Sequence, residues 1–131
     1  MQFEEMFKRI DVYQSQLGHA MLDMKRAERT EYRRSMALGL FMEVAELVDS
    51  TPWKPWRPEK DQTMDLGNAQ IEIVDCLFFL VGIARSLGID GEDIVQTFEM
   101  KLTENYARIK SGYNHTDGLK RLEEPVEGTD Y

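Results

Sequence analysis

Two stretches of this chain decide what it can fold into. In ALGLFMEVAELV, residues 37–48, Glu43 and Glu46 are the only polar side chains, and in IEIVDCLFFLVGIA, residues 71–84, the pattern returns with Glu72 and Asp75. Helices that are apolar almost all round are built to be buried, and acids three residues apart lie on one helical face. Two such helices packed face to face bring up to four carboxylates together. A buried charge without compensation costs several kcal/mol, so four of them need positive charge nearby. Between residues 37 and 76 the only cations are Lys54, Arg57 and Lys60, all in the connecting loop. A divalent metal is the better compensator. An all-carboxylate donor set suits Mg2+, with Mn2+ able to substitute, and His19, His115 and Cys76 have no zinc-type spacing. The competing reading is a solvated acidic face on each helix, or acids paired with distant Arg and Lys, and the apolar surroundings of both pairs argue against it.

The rest of the composition limits the partners. With 16 Lys+Arg against 24 Asp+Glu, the net charge is −8, a poor match for a nucleic-acid polymer or an anionic membrane surface. Any phosphate-bearing ligand would need a cation to approach. The start, MQFEEMFKRI, has neither a basic region nor a long apolar one, and no uninterrupted apolar run reaches the ~18 residues of a membrane span. The expectation is one soluble, cytoplasmic domain over residues 1–131, with residues 112–131 a polar tail. A single cysteine, Cys76, excludes an intramolecular disulfide and reads as a small buried hydrophobe.

Apolar spacings of three and four residues, with few hairpin signals, predict an all-α fold. A first helix is expected from about Phe3, with Gly18 as an interruption. A second is expected from about Glu31 to Val48, ending before Pro52. The stretch STPWKPWRPEKDQTMDLG holds three of the four prolines and predicts a loop. Asn68 then offers an N-cap for a third helix to about Ser86. Gly88 closes it, and a fourth, capped by Asp90, is expected from Glu92 to about Lys110.

In the fourth helix, Lys101, Asn105 and Arg108 fall on one stripe, with Lys110 and Tyr113 just beyond. Alone, these cations would simply complement the helix dipole. Beside a metal cluster, they are what a triphosphate requires. Trp53 and Trp56 in the proline-rich loop would cover the end of the bundle or wall in a planar base.

EVAELVDSTPWKPW, NAQIEIVDCLFF and KLTENYARIKSGY together resemble the three motifs of the dimeric, all-α dUTPases, within the MazG-like nucleoside triphosphate pyrophosphohydrolases. The likeness runs from about Arg33 to Tyr113. It implies a MazG-like helical bundle completed by oligomerisation, as a homodimer or a dimer of dimers. It also implies metal-dependent cleavage of a deoxynucleoside triphosphate to the monophosphate and pyrophosphate. By similarity, Glu43, Glu46, Glu72 and Asp75 match the metal-binding acids, and Lys101, Arg108 and Tyr113 match the phosphate end. Asn105 and Lys110 lie beside them, Gln14 resembles the base-contacting glutamine, and Trp53 and Lys54 match a Trp-Lys pair beside the nucleotide.

Three positions depart from the family pattern: Gly18 and Leu102 stand where asparagine is usual, and Phe78 where histidine is frequent. All three concern the nucleoside end. The resemblance therefore favours dUTP, with dCTP beside it, while the lost polar groups keep dGTP and dATP as the alternative. Glu46 is the carboxylate expected to position water for attack at the α-phosphorus, with Lys101 and Arg108 neutralising the leaving pyrophosphate. A non-catalytic helical module that binds metal or nucleotide is a further alternative.

Overall fold

A computed structural model describes residues 1–112 of the 131. Among them are four α-helices, two short 3-10 turns (Met21–Asp23 and Glu59–Asp61) and no strand. The helices are α1, Phe3–Gln16; α2, Arg26–Asp49; α3, Leu66–Ser86; and α4, Gly91–Lys110. The chain divides into two compact units, Met1–Glu92 and Asp93–Tyr131, so that α1, α2 and α3 form the first and α4 belongs almost wholly to the second.

α1 and α3 finish alike. At the end of α1, Gly18 N donates to Ser15 O and His19 N to Gln14 O; at the end of α3, Gly88 N donates to Arg85 O and Ile89 N to Ala84 O. This is the Schellman pattern, which needs a left-handed residue after the cap. Gly18 and Gly88 supply it, at φ +90° and +72°.

Two expected helix starts are corrected. α2 begins at Arg26 rather than near Glu31: RAERTE is polar on every side, so apolar spacing could not reveal its first turn. α3 begins at Leu66 rather than at Ala69, because Asp65 is the N-cap, its Oδ1 accepting from Asn68 N at 3.0 Å. Asn68 instead donates its side-chain amide to Ser50 Oγ at 2.7 Å, while Asp65 N donates to Ser50 O at 2.8 Å. These bonds tie the foot of α2 to the head of α3.

α2 and α3 therefore form an antiparallel pair whose register follows from its contacts. Arg33 meets Ser86, Tyr32 and Met36 face Gly82, Gly39 faces Phe79, and Ser50 meets Asn68. The approach is close because two positions lack side chains. A Cβ on Gly39 would overlap the Phe79 ring, and one on Gly82 would lie 2.9 Å from Met36 Sδ. Midway between these anchors, the register sets Glu43 and Glu46 opposite Glu72.

α1 lies against α3 through a buried polar knot. Arg85, 6% exposed, donates through Nε to Asp11, through Nη1 to Gln14 Oε1 at 2.9 Å, and through Nη2 to Ser15 Oγ and the His19 carbonyl. Gln14 completes it, donating Nε2 to the Phe78 carbonyl at 2.9 Å.

The burial expected of the two apolar helices is not met among the described residues. Tyr32 is the one buried residue of α2, whereas Phe41 is 74% exposed and Leu38, Met42 and Val44 are also exposed. On α3, Ile71, Ile73, Val74 and Leu80 are exposed in the same way. α3 also has the length and composition of a bilayer-crossing helix, although Glu72 and Asp75 interrupt its apolar run.

Candidate active site

Glu43 and Glu46 are one turn apart on α2, and Glu72 reaches them from α3. One carboxylate oxygen from each lies within 4.8 Å of the other two. Their surroundings differ: Glu72 is buried, Glu43 half-buried and Glu46 exposed. Asp75, one turn beyond Glu72, stands at the margin of this trio and lines the adjoining cleft together with Glu43.

Neither Glu43 Oε2 nor Glu72 Oε2, both buried, has a hydrogen-bond donor. Two ionised carboxylates can only accept, so they repel unless something positive lies between them. A proton on Glu43 would let it donate to Glu72, and that contact is the main reason its pKa is pushed up to about 7. Burial and the charges of Glu46, Glu72 and Asp75 add to the shift. A cation would serve in place of the proton: all-oxygen donors, crowded and partly dehydrated, fit a hard divalent ion such as Mg2+. Glu43, Glu46 and Glu72 would hold it, with Asp75 within one helical turn. Burial, and then the charges of Glu43, Glu72 and Asp75, raise the Cys76 thiol, which keeps it protonated and unsuited to nucleophilic chemistry.

Beside the acids, a cleft of about 800 Å3 opens between α1 and α3. Its walls include Ile10, Tyr13 and Phe78, with Arg9 the one cation. Tyr13 meets Phe78 edge-on, with ring centroids 5.7 Å apart. Arg9 and Tyr13 were not singled out from sequence; their one signal is the spacing of four that puts them on a single face of α1.

Gln14 faces inward. Its carbonyl accepts from Arg85 and its amide donates to Phe78 O, leaving one N–H for any other partner. Gly18 stands where its glycine identity follows from backbone geometry, and nothing lies within 4 Å of where a Cβ would point.

At the foot of α2, Trp53 Nε1 donates to Asp49 Oδ1 at 2.8 Å. Asp49 continues the Glu43–Glu46 spacing by one more turn, which is its one signal in the sequence. Trp53 also packs edge-on against Trp56, with centroids 5.5 Å apart, and Lys54 Nζ stands 6.0 Å from the Trp53 ring centre. Gln62 fixes this loop, accepting from Lys54 N and donating to the carbonyls of Lys54 and Arg57.

In the second unit, α4 is continuous through Lys101, Asn105 and Arg108, so the three do share one face. Lys101 is paired with Glu104 at 3.1 Å, and Lys110 is the last helical residue. Tyr113 lies outside the described residues.

Residues 5–86 match the dUTPase family. The match covers more than half of the chain and every acid of the cluster, and the chain belongs to this all-α dUTPase family. It begins well before Arg33 and takes in Gln14 and Gly18, but ends before α4, so the likeness of KLTENYARIKSGY stands outside it. No curated protein and no solved structure matches the chain.

Proposed function

We propose that the protein is a Mg2+-dependent deoxynucleoside triphosphate pyrophosphohydrolase, releasing the monophosphate and pyrophosphate. At the level of the family, nucleoside triphosphate hydrolysis follows from membership. The observation that carries the finer reading is the meeting of Glu43, Glu46 and Glu72 within 4.8 Å, with two buried oxygens that no donor satisfies. Bound there, Mg2+ supplies charge neutralisation for phosphate oxygens and a water of lowered pKa.

The chain's own residues do the remainder. Glu43 and Glu72 fix the site because the α2–α3 register holds them. Glu46, exposed and therefore hydrated, orients the attacking water and takes up its proton. Lys101 and Arg108 neutralise the leaving pyrophosphate, with Asn105, Lys110 and Tyr113 contributing to phosphate contacts. Trp53, held by Asp49, and Lys54 border the nucleotide. The exposed apolar faces of α2 and α3 support a homodimer, or a dimer of dimers, since patches of this kind mark association surfaces.

On the base, dUTP leads by family likeness, with dCTP beside it. The cleft supports a second reading, dGTP or dATP: about 800 Å3 admits a purine, with Phe78 and Tyr13 against its face. Incubation with each dNTP and Mg2+, resolving monophosphate, diphosphate, pyrophosphate and orthophosphate, tests the reaction. Monophosphate with pyrophosphate is expected, and orthophosphate with dNDP would overturn the reading. A kcat/KM preference for dUTP beyond about 10²-fold settles the base for uracil; a purine preference of that size gives it to the cleft.

A further inference from the structure

Where α2 begins, the charge of the molecule inverts. A cavity of about 580 Å3 is lined by Arg26, Arg29 and Arg33, with Thr30 and the α3 end, Ser86 to Gly88. No acid is among its lining residues, in a chain whose net charge is −8. The three arginines follow the spacing of three and four that gathers side chains on one helical face.

The protein itself satisfies these guanidinium groups only in part. Arg33 Nη1 donates to Ser86 O at 3.3 Å, and Arg29 Nη2 to the Met21 carbonyl. Arg29 Nε is buried with no acceptor. Arg26 makes no side-chain bond among the described residues, and none of the three is in an ion pair there. Three guanidinium groups around one cavity repel one another and leave donors unused. Planar forks of this kind bind phosphate oxygens two at a time, and the positive end of the α2 dipole adds to the attraction.

We propose that this cavity is an anion site for a polyphosphate group, distinct from the acid cluster. Arg33 and Glu43 are ten residues apart on one helix, on the order of 15 Å at 1.5 Å per residue, so an anion here does not share the metal of the acids. The diphosphate group is the chemistry recognised, carried either by free pyrophosphate or by the tail of a nucleotide. The inference does not depend on turnover: a protein inactive on every nucleotide would leave it standing.

The test is calorimetric titration of the whole chain with pyrophosphate in EDTA, where the metal-free acids repel anions. One saturable event per chain is expected, weakening as salt rises. Arg26→Gln removes a side chain that holds nothing in the fold, and it should weaken binding at least 10-fold; Arg29→Gln should do so too. Should Arg29→Gln fail to fold by circular dichroism, Arg26→Gln decides alone. Glu72→Gln and the Lys101→Gln/Arg108→Gln pair should leave the affinity within about 2-fold. A parallel titration with dUDP separates the sources: equal affinity assigns the site to a nucleotide tail, and much weaker binding assigns it to free pyrophosphate. Absence of saturable binding in EDTA, or binding that survives Arg26→Gln and disappears in the α4 pair, overturns the proposal.

Discussion

α3 buries two charges of opposite sign, Glu72 and Arg85, 8% and 6% exposed, and treats them in opposite ways. Arg85 meets acceptors on four residues at the end of α1. Glu72 keeps a buried oxygen with no donor and faces other acids. The bonded ion fastens the architecture, whereas a buried polar atom without a donor calls for a separate explanation. On the function proposed above, one helix thus carries both a fastening of the fold and a ligand of the metal site.

The sharpest way to break this contrast is to neutralise each end of α3 and its neighbours in turn. Glu46→Gln and Asp75→Asn should each lower kcat/KM at least about 10³-fold, or ~4 kcal/mol, while the metal-free Tm holds or rises as repulsion is relieved. Steady-state kinetics and a melt in EDTA check this. Retained activity in both variants would remove the acids from the chemistry.

Arg85→Met should do the reverse. Leaving Asp11 and Gln14 without their donor costs about 3 kcal/mol, read from a urea midpoint, while kcat of the folded fraction changes little. Equal losses of stability in the Arg85 and Glu72 variants would erase the distinction.

A pH series sharpens it further. Glu43 is raised from 4.5 to about 7, first by its contact with Glu72. Its contribution to stability is therefore complete below pH 4.5 and lost as pH rises through about 7. Metal-free protein should lose Tm across this window, Mg2+ should offset the loss above pH 7, and Glu43→Gln should flatten the curve. A metal-free Tm that rises through the window in wild type but not in Glu43→Gln would refute the crowding of these acids.

The smallest effect is expected at Gly18. Its φ of +90° is one that Asn tolerates better than other side chains, so Gly18→Asn should cost less than about 1 kcal/mol, measured by melting.

The acid pairs were legible because two periodicities coincide in them: acids three apart, within runs that otherwise contain only apolar residues. Arg85 was not, because an arginine in the last turn of a helix reads as a solvated dipole partner, and only the return of α1 over that turn buries it. Asn68 is the N-cap expected from sequence, and Asp65 takes that place. The choice went to Asp65 because Ser50 takes up the Asn68 amide, a contact 18 residues away in sequence. The exposed apolar faces were legible as apolar, but sequence cannot say whether the same chain covers them.

The antiparallel pairing of α2 and α3 also bears on how the protein is born. The residues that meet across the pair are joined by the loop of residues 50–65, and closing a connection of that length grows costlier only with the logarithm of its length. Closing this connection costs less chain entropy than joining Gln14 to Arg85, 71 residues apart. The acid trio is contained in that hairpin, so it is expected to assemble before α1 finds Arg85. Refolding after a stopped-flow jump out of urea should accordingly be faster with Mg2+ than with EDTA in wild type, and no faster in Glu72→Gln. For this chain the ligand would then act as a folding nucleus before it is ever a cofactor.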